Sequence, residues 1–138
     1  MKSVDSLKAP LPVGAYPHAR RVGNFLFLSG IGPRKRGETA IPGVTLNDKG
    51  EVIDYDIALQ CHSVFHNVKC VLEEAHCHWN DLVDITVFLT HIKNDFQTFN
   101  KIYSEYFIEN QPCRTTVEVN ALPTPIAIEL KCMAIIRE

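Results

Sequence analysis

Residues 111–131, QPCRTTVEVNALPTPIAIELK, contain two alternating runs joined by a proline-marked turn, a pattern typical of two β-strands. In residues 126–136 the larger apolar side chains fall on one face of such a strand and the more polar side chains on the other. The first face carries Ile126, Ile128, Leu130, Cys132, Ala134 and Ile136, and the second carries Ala127, Glu129, Lys131 and Met133. We therefore predict a strand whose first face packs against the core.

The preceding run, residues 114–120, alternates in the same way. Its faces carry Thr115, Val117 and Val119 on one side and Arg114, Thr116, Glu118 and Asn120 on the other. Because valine favours the covered side of a sheet, this pattern predicts that Arg114 and Glu129 both project from the uncovered face. We call that side of the sheet the open face.

Two helices are predicted upstream of these strands. From residue 56 onward, apolar side chains recur at spacings of three and four, which indicates an amphipathic helix. They are Ile57, Cys61, Val64, Phe65, Val68, Leu72 and Ala75. A second helix is predicted to begin at Asn94 or Asp95 and to end near residue 108, with five aromatic side chains on or near one face. Residues 82–90, LVDITVFLT, lie between the helices and predict a strand buried on both faces.

The N-terminal half predicts a hairpin, with strands near residues 15–20 and 25–29. Residues 33–43, PRKRGETAIPG, have proline and glycine at both ends and predict an exposed loop, and a short strand follows at 43–46. The main order is therefore β-β-α-β-α-β-β. This order favours an α+β fold, in which a mixed sheet of about five or six strands carries two helices on one face.

The composition is that of a soluble globular protein, and we interpret residues 1–138 as a single domain. Hydrophobic residues make up 46% and charged residues 22% of the chain, and the net charge is −2. A charge balance so near neutrality lacks the basic stripe that nucleic-acid binding needs, and no segment predicts a membrane span. The five cysteines are odd in number and have no paired short spacing, which predicts reduced thiols. We expect a cytoplasmic protein with neither nucleic acid nor membrane as a partner.

Arg114 and Glu129 are the first candidates for chemistry, and their spacing leaves two interpretations open. Two such residues on a solvated face often form an incidental ion pair, which contributes about 0 to 1 kcal/mol. Alternatively, the planar guanidinium of Arg114 binds a substrate carboxylate while Glu129 handles a proton or orients water. Cys113 adjoins Arg114, but the alternation places it on the other side of the strand, which predicts a buried or neutral thiol.

A metal site is not predicted. His62 and His66 lie four residues apart on the first helix, but they lack the intervening glutamate of a zinc-protease helix. His76 and His78 lie at a helix end, next to a tryptophan. The run SGIGPRKRG also lacks the spacing of a phosphate-binding loop.

Five short motifs together resemble the Rid family, also called YjgF. They are GAY at 14–16, FLSG at 27–30, NDFQTFNKIY at 94–103, PCRTTVEV at 112–119 and IELKCMA at 128–134. The resemblance runs in order along almost the whole chain. It implies a chorismate-mutase-like α+β fold, a homotrimer whose sheets pack into a central barrel, and active sites in the clefts between subunits.

Members of that family that carry the arginine hydrolyse enamines and imines without a cofactor. By this resemblance, Arg114 holds the substrate carboxylate and Glu129 positions the attacking water, and Tyr16, Ser29 and Asn100 fall on the remaining pocket positions. Three residues depart from the common pattern. Thr116 stands where many members have cysteine, Lys131 replaces a second acidic residue, and Ile31 stands where glutamine usually follows the serine-glycine pair.

The basic loop GIGPRKRG is similar to that of the 2-aminomuconate deaminases, a branch that acts in the breakdown of aromatic compounds. Their substrate is a dicarboxylate enamine, and because one arginine can hold only one carboxylate, a second cation is expected. The candidates are Arg34, Lys35, Arg36, Arg20 and His18. Two alternatives remain: a general deaminase of 2-iminobutanoate and 2-iminopropanoate, and an RNA-acting or chaperone-like interaction protein.

Overall fold

Eight strands and two helices make up the computed structural model, which describes residues 1–137. The strands are Lys2–Val4 (β1), Ala19–Val22 (β2), Phe25–Leu28 (β3), Val44–Leu46 (β4), Val52–Tyr55 (β5), Leu82–Leu89 (β6), Cys113–Glu118 (β7) and Ile128–Ile135 (β8). The helices are Ile57–Glu74 (α1) and Ile92–Tyr106 (α2), and a 3₁₀ turn covers Trp79–Asp81. The predicted α+β class is confirmed.

Six strands form one mixed sheet in the order β1-β2-β3-β8-β6-β7. Neighbouring strands are antiparallel except β6 and β7, which are parallel and therefore need the α2 crossover between them. Strands β4 and β5 form a separate two-stranded hairpin. The predicted hairpin of β2 and β3 is found, but β2 begins four residues later than predicted and includes Val22, which the sequence assigns to the turn. The loop after the hairpin, strand β4 and the last two strands lie close to their predicted positions, whereas β1 and β5 were not predicted.

Helix α1 begins where the spacing of its apolar residues begins. The Asp56 side chain caps it by accepting hydrogen bonds from the backbone N–H of Ala58 at 2.9 Å and of Leu59 at 3.2 Å. At its other end His76 has φ 58°, and the N–H groups of residues 76 and 77 bond the carbonyls of Glu73 and Leu72. This pair of bonds is a Schellman motif, in which glycine is the usual residue at the left-handed position.

Helix α2 begins at Ile92, earlier than the predicted Asn94 or Asp95. Its first N–H is capped from outside the helix, because the Glu118 carboxylate at the end of β7 accepts a hydrogen bond from Ile92 N at 2.9 Å. Asp95 is instead buried in the first turn, where it accepts a hydrogen bond from the Tyr55 hydroxyl at 2.6 Å. The boundary prediction is wrong because the cap comes from a strand more than twenty residues away.

The core lies between the sheet and the two helices. In β8 the predicted inward face is confirmed, since Ile128, Leu130, Cys132 and Ala134 are all buried. The prediction that β6 is buried on both faces is wrong: every second side chain packs under the helices, but Asp84 on the other face is exposed. Only one face of the sheet is covered by helices in a single chain, so the other side of β6 lies on the open face.

Large apolar side chains occupy the open face. Phe25 is 47% and Phe27 41% exposed, and they pair across the sheet with Ile135 and Met133. Val117 of β7 is also exposed on this side. All five cysteines are free thiols, as predicted, but Cys113 is exposed rather than buried because it too points to the open face. Within residues 1–137, neither helix has the length and hydropathy that crossing a membrane requires.

Candidate functional site

Arg114 lies on the helix side of the sheet, not on the open face. In the parallel pairing of β6 and β7 it is aligned with Ile85, which is buried under the helices. The prediction that Arg114 and Glu129 share the open face is therefore wrong. Alternation shows which residues share a face but not which face is covered, and β7 carries threonines on both sides. Because β7 is an edge strand, polar side chains on its helix side still reach solvent.

The guanidinium of Arg114 lies over the aromatic surface of α2. Its central carbon lies 4.6 Å from the centroid of the Tyr103 ring, 5.4 Å from that of Phe99 and 5.9 Å from that of Phe96. Its Nη1 donates a hydrogen bond of 2.9 Å to Asn100 Oδ1. A guanidinium has five N–H donors, so this stack leaves a planar fork available for a carboxylate. We call this group, from Phe96 to Tyr103 with Arg114, the arginine half-site.

Glu129 lies on the opposite face of the sheet. Glu129 pairs with Phe88 of β6, whereas Arg114 pairs with Ile85 of the same strand. The strands that carry Glu129 and Arg114 are therefore two positions apart in the sheet, and the two residues are offset by three residues along the strands. From strand geometry the two Cα atoms are about 14 Å apart, and their side chains diverge. The interpretation of an incidental Arg114–Glu129 ion pair is therefore excluded within one chain.

The Glu129 carboxylate packs directly against the backbone of Gly30. A Cβ atom on residue 30 would lie 1.9 Å from Glu129 Oε1, so no other residue fits there without displacing the carboxylate. Burial raises the pKa of the Glu129 carboxyl above its usual range, and the nearby Arg34 guanidinium offsets part of that increase. The carboxyl group therefore holds a proton more strongly than a solvated carboxyl group does.

Two small cavities adjoin this carboxylate, with volumes of about 50 Å³ and 30 Å³. Tyr16, Gly30, Gly32 and Arg34 line both, Glu129 lines the first, and Ser29 the second. We call Tyr16, Ser29, Gly30, Arg34 and Glu129 the glutamate half-site. Each cavity is far below the about 150 Å³ that accommodates benzene, so this half-site alone cannot enclose a small organic substrate.

Tyr16 and Ser29 make hydrogen bonds that fix the walls of this half-site. The Tyr16 hydroxyl accepts a bond from Val13 N at 3.2 Å, and the Ser29 hydroxyl donates to the Pro17 carbonyl at 2.7 Å. Ser29 thus has its own proton committed to the backbone and offers a ligand only an acceptor oxygen. Asn100, the remaining predicted pocket residue, lies on α2 in the arginine half-site.

Of the predicted second cations, Arg34 is the one placed beside Glu129. Its Nη2 donates to the Leu11 carbonyl at 2.7 Å. Its loop is fastened to α1, because the buried Asn67 amide donates to the carbonyls of Gly32 and Arg34, and the Ser63 hydroxyl to that of Pro33. This anchoring holds the Arg34 backbone in one position near the carboxylate.

The other four cations are differently engaged. Arg36 Nη1 donates to the carbonyls of Ser6 and Ala9, at 3.0 Å and 2.9 Å, and Lys35 is exposed on the loop. Arg20 is exposed on β2 and contacts the Met1 sulfur. The buried His18 accepts a bond from Ser6 N at Nδ1 and donates to the Pro10 carbonyl at Nε2, so neither nitrogen is available to a carboxylate. His18 lines the smaller of the two cavities, but its ring nitrogens already have partners. The hydrogen bonds of Arg36 and His18, rather than their positions, disfavour the ligand-binding role predicted for them.

The aromatic platform under Arg114 was not predicted, although the sequence carries a signal for it. Phe96, Phe99 and Tyr103 recur at spacings of three and four on α2. Burial raises the pKa of Tyr103 to about 12, so the ring beneath the guanidinium stays neutral at ordinary pH. Within residues 1–137 the hydroxyls of Tyr103 and Thr116 are buried without a hydrogen-bond partner.

Histidines and cysteines do not gather into a metal centre in the described part of the chain, residues 1–137. His62 Nδ1 lies 2.7 Å from the Tyr106 hydroxyl, and His66 Nε2 lies 3.5 Å from the sulfur of Cys70. These side chains thus have partners on the outer surface of the helices.

Comparison with known proteins gives one consistent result. The sequence profile of the family described as Endoribonuclease L-PSP matches residues 6–136. A RutC family protein of Pyrococcus abyssi is 41% identical over 127 residues, which are 92% of this chain and 91% of that protein. The crystal structure of the YjgF gene product from E. coli has a TM-score of 0.84 and 31% identity, covering 99% of this chain and 100% of that one. The structure of E. coli TdcF with bound serine has a TM-score of 0.85 and 28% identity and covers all of both chains.

Proposed function

Because the chain belongs to the endoribonuclease L-PSP family, the family of the Rid/YjgF proteins and of imine and enamine deaminases, we propose that it is a cofactor-independent hydrolytic deaminase that converts 2-aminomuconate to 4-oxalocrotonate and ammonia. The observation that carries this proposal is the placement of a second guanidinium, Arg34, beside Glu129. Two separate cations match a substrate that has two carboxylates. The serine bound in the TdcF structure supports a site for a small carboxylate.

The complete site forms between two copies of the chain. Arg114 and Glu129 point away from each other in one chain, and the glutamate half-site is too small to hold the substrate alone. A second copy of the chain, packed against the open face, would cover Phe25 and Phe27 and bring its arginine half-site to the glutamate half-site of its neighbour. Three copies related by such a head-to-tail contact close into the trimeric barrel expected from the sequence.

The reaction proceeds by addition of water and loss of ammonia. The enamine first tautomerises to the imine, whose carboxylate beside C2 is held by Arg114. Glu129 accepts a proton from water as the water oxygen attacks C2, and the electrons of the C=N bond move to nitrogen, which takes up a proton. Glu129, having returned the first proton to the nitrogen, accepts the hydroxyl proton of the resulting carbinolamine and passes it to the same nitrogen. The C–N bond then breaks as the C=O bond forms, and ammonia leaves. The sum is imine plus water to ketone plus ammonia, with no oxidation.

Arg34 has two functions in this scheme. It binds the distal carboxylate, and its positive charge counteracts the effect of burial on Glu129, so that more of the carboxyl is ionised and able to accept a proton. In the proposed contact between two copies Arg114 would be covered from water, and a charge-assisted hydrogen bond there contributes about 1.5 to 3 kcal/mol.

The test is a substrate comparison with the purified protein. We expect 2-aminomuconate, generated in the assay, to be hydrolysed faster than the imines formed from threonine or serine. Replacing Arg114 with alanine should lower kcat/KM by around two orders of magnitude, since about 1.4 kcal/mol corresponds to tenfold. If Arg114→Ala stays within twofold of wild type, the mechanism is wrong, and if the amino-acid imines react far faster, the protein is a general imine deaminase.

Arg34→Met separates the dicarboxylate proposal from general deamination. The substitution should raise KM for 2-aminomuconate about tenfold, because one charge-assisted contact is lost, while KM for the monocarboxylate imines changes little. Lys35→Met removes the same charge from an exposed neighbour and is the control. Equal effects of Arg34→Met on both substrate classes would contradict a contact with the distal carboxylate.

The description of the family as an endoribonuclease makes RNA the alternative substrate. The net charge of −2 and the apolar character of the open face argue against a phosphate-binding surface. Cleavage of RNA by protein free of contaminating nuclease, abolished by Glu129→Gln, would support the alternative.

A further inference from the structure

Tyr103 lies beneath Arg114 but takes no part in the reaction proposed above. Of the three aromatic rings under the guanidinium, that of Tyr103 is the nearest: its centroid lies 4.6 Å from the central carbon of Arg114, against 5.4 Å for Phe99. Among residues 1–137 its buried hydroxyl has no hydrogen-bond partner. The contact with the arginine is therefore made by the ring and not by the hydroxyl.

Other aromatic side chains hold the Tyr103 ring in place. Its centroid lies 4.4 Å from that of Phe107, 5.6 Å from that of Phe99 and 6.2 Å from that of Phe65. The side chain is buried, with 8% of Tyr103 exposed. In a close-packed cluster of this kind one ring cannot turn without displacing its neighbours. Tyr103 thus offers the arginine a surface whose position is fixed before any ligand arrives.

Arg114 needs such a surface because its polar contacts fix the guanidinium at one nitrogen alone. Within residues 1–137 its hydrogen bond to Asn100, from Nη1 to Oδ1 at 2.9 Å, has no second beside it. A guanidinium held at one nitrogen can still swing about that bond, and a side chain that its ligand has to order binds that ligand less tightly. A ring face attracts a cation and limits where the guanidinium can lie, so part of the ordering precedes binding.

We propose that Tyr103 is a positioning residue of the arginine half-site, whose ring holds the Arg114 guanidinium where its fork meets the substrate carboxylate. Because Arg114 binds a carboxylate only if the proposed function holds, this role of Tyr103 rests on that function. The affinity for the carboxylate then depends on the electron density of a ring that lies behind the guanidinium. In the proposed assembly the contact would be covered from water, and there a cation and a ring attract each other more strongly than at an exposed site.

A series of fluorinated rings at residue 103 tests this role. Fluorine withdraws electron density from the face of a ring with little change of shape, so it weakens the attraction to a cation and leaves the packing in place. The protein is prepared with phenylalanine and with its mono-, di- and trifluorinated analogues at residue 103. Pyruvate, a small carboxylate, is titrated into each protein and its binding is followed by NMR. We expect Tyr103→Phe to retain binding and each added fluorine to weaken it, reaching about tenfold with the trifluorinated ring.

Tyr106 provides the matched control. It lies on the same helix and packs against Phe65 with 4.4 Å between the ring centroids, but its ring is not one of the three under Arg114. The same analogues at residue 106 should leave pyruvate binding at the level of Tyr106→Phe. Equal weakening by the two series, or loss of binding in Tyr103→Phe, would overturn the role of the Tyr103 ring.

Arg114→Ala, titrated with pyruvate in the same way, separates this role from the proposed function. If Arg114→Ala loses binding but the fluorinated rings at residue 103 do not weaken it, only the role of Tyr103 is wrong. If Arg114→Ala binds pyruvate as wild type does, the proposed carboxylate contact of Arg114 is wrong and the role of Tyr103 falls with it. Loss of binding in Arg114→Ala, together with a stepwise loss across the fluorinated series, supports both.

Discussion

At the scale of single residues, Glu129 is held between two opposing influences. Burial against Gly30 favours the protonated carboxyl, and Arg34 favours the carboxylate. Burial is the larger of the two, so the pKa of Glu129 remains above its usual value. If Glu129 is the base, burial raises its pKa and the Arg34 guanidinium lowers it in part. The pH dependence of the reaction should therefore change when Arg34 is removed.

We predict that Arg34→Met moves the acid limb of the kcat/KM profile to higher pH. The reaction needs the Glu129 carboxylate, and removal of the guanidinium leaves burial unopposed, so the pKa of the carboxyl rises further. The measurement is kcat/KM for 2-aminomuconate across the acid range in both proteins. Lys35→Met is the matched control, and an acid limb that moves equally in both variants, or in neither, would contradict a local effect of Arg34.

The Glu129 carboxyl also makes the free energy of unfolding depend on pH in a defined direction. A carboxyl whose pKa is raised in the folded protein favours folding most at low pH, and this contribution is lost as pH rises through the folded pKa. We expect Glu129→Gln to remove that dependence. The free energy of unfolding of wild type minus that of the variant should therefore fall as pH increases above the usual carboxyl range. Urea unfolding at a series of pH values measures the difference, and a difference that instead grows with pH would contradict burial as the dominant cause.

At the scale of elements, both helices are completed by contacts at their ends. Helix α2 takes its N-terminal cap from Glu118 of β7, which couples the helix to the strand that carries Arg114. Helix α1 ends at His76, a non-glycine residue with φ 58°. The left-handed conformation costs about 1 to 2 kcal/mol for residues with a Cβ atom. This strain is local and can be relieved without touching either half-site.

We predict that His76→Gly stabilises the protein by about 1 kcal/mol, because glycine adopts the left-handed conformation of a Schellman motif without strain. Glu74→Gly, two residues earlier and still inside α1, is the control and should destabilise by about the same amount. Urea denaturation of the three proteins measures both effects. A His76→Gly variant less stable than wild type would show that the imidazole makes a contact worth more than the strain.

The sequence predicts the elements that a single pattern determines. Helix α1 and strand β8 are found as expected, since one has a long run at spacings of three and four and the other alternates between apolar and charged residues over Ile128–Lys131. Strands β1 and β5 have only three and four residues and follow no run, so they depend on pairing with distant strands. The prediction that Arg114 lies on the open face is wrong because β7 carries threonines on both sides, and threonine fits either side of a sheet. Contact with the aromatic face of α2 decides the position of Arg114.

At the scale of the whole molecule, the proposed mechanism makes catalysis depend on assembly. The arginine half-site is at one edge of the sheet, beside α2, and the glutamate half-site is on the other face, near the loop of Arg34. In the assembly proposed above, a head-to-tail contact between copies would join one half-site of each chain to the complementary half-site of its neighbour. Each chain in a closed ring therefore contributes to two different active sites.

We predict that mixing two inactive variants restores activity. Arg114→Ala and Glu129→Gln each lack one half-site, but after denaturation and refolding together some sites combine an intact arginine from one chain with an intact glutamate from another. Random assembly at equal amounts gives about one quarter of the wild-type sites for a heterologous contact. The measurement is the rate of 2-aminomuconate hydrolysis before and after co-refolding.

Each variant refolded alone provides the control and should stay inactive. Size-exclusion chromatography with light scattering, run on the same samples, reports whether the chains assemble into trimers. If the mixture forms trimers but shows no more activity than the separate variants, Arg114 and Glu129 belong to the same chain's site and the arrangement proposed here is wrong.

Because Glu129 Oε1 packs closely on Gly30, the residue at position 30 in a related protein indicates whether a glutamate at position 129 can take the same position. A chain with any side chain at residue 30 must move the carboxylate of residue 129 away from the loop, because the space of a Cβ is already taken. Homologues that pair glycine with glutamate at these two positions can therefore share this geometry, and in those with a larger first residue the carboxylate must take a different position. The pair offers a two-letter criterion for sorting the family by chemistry before any of its members is purified.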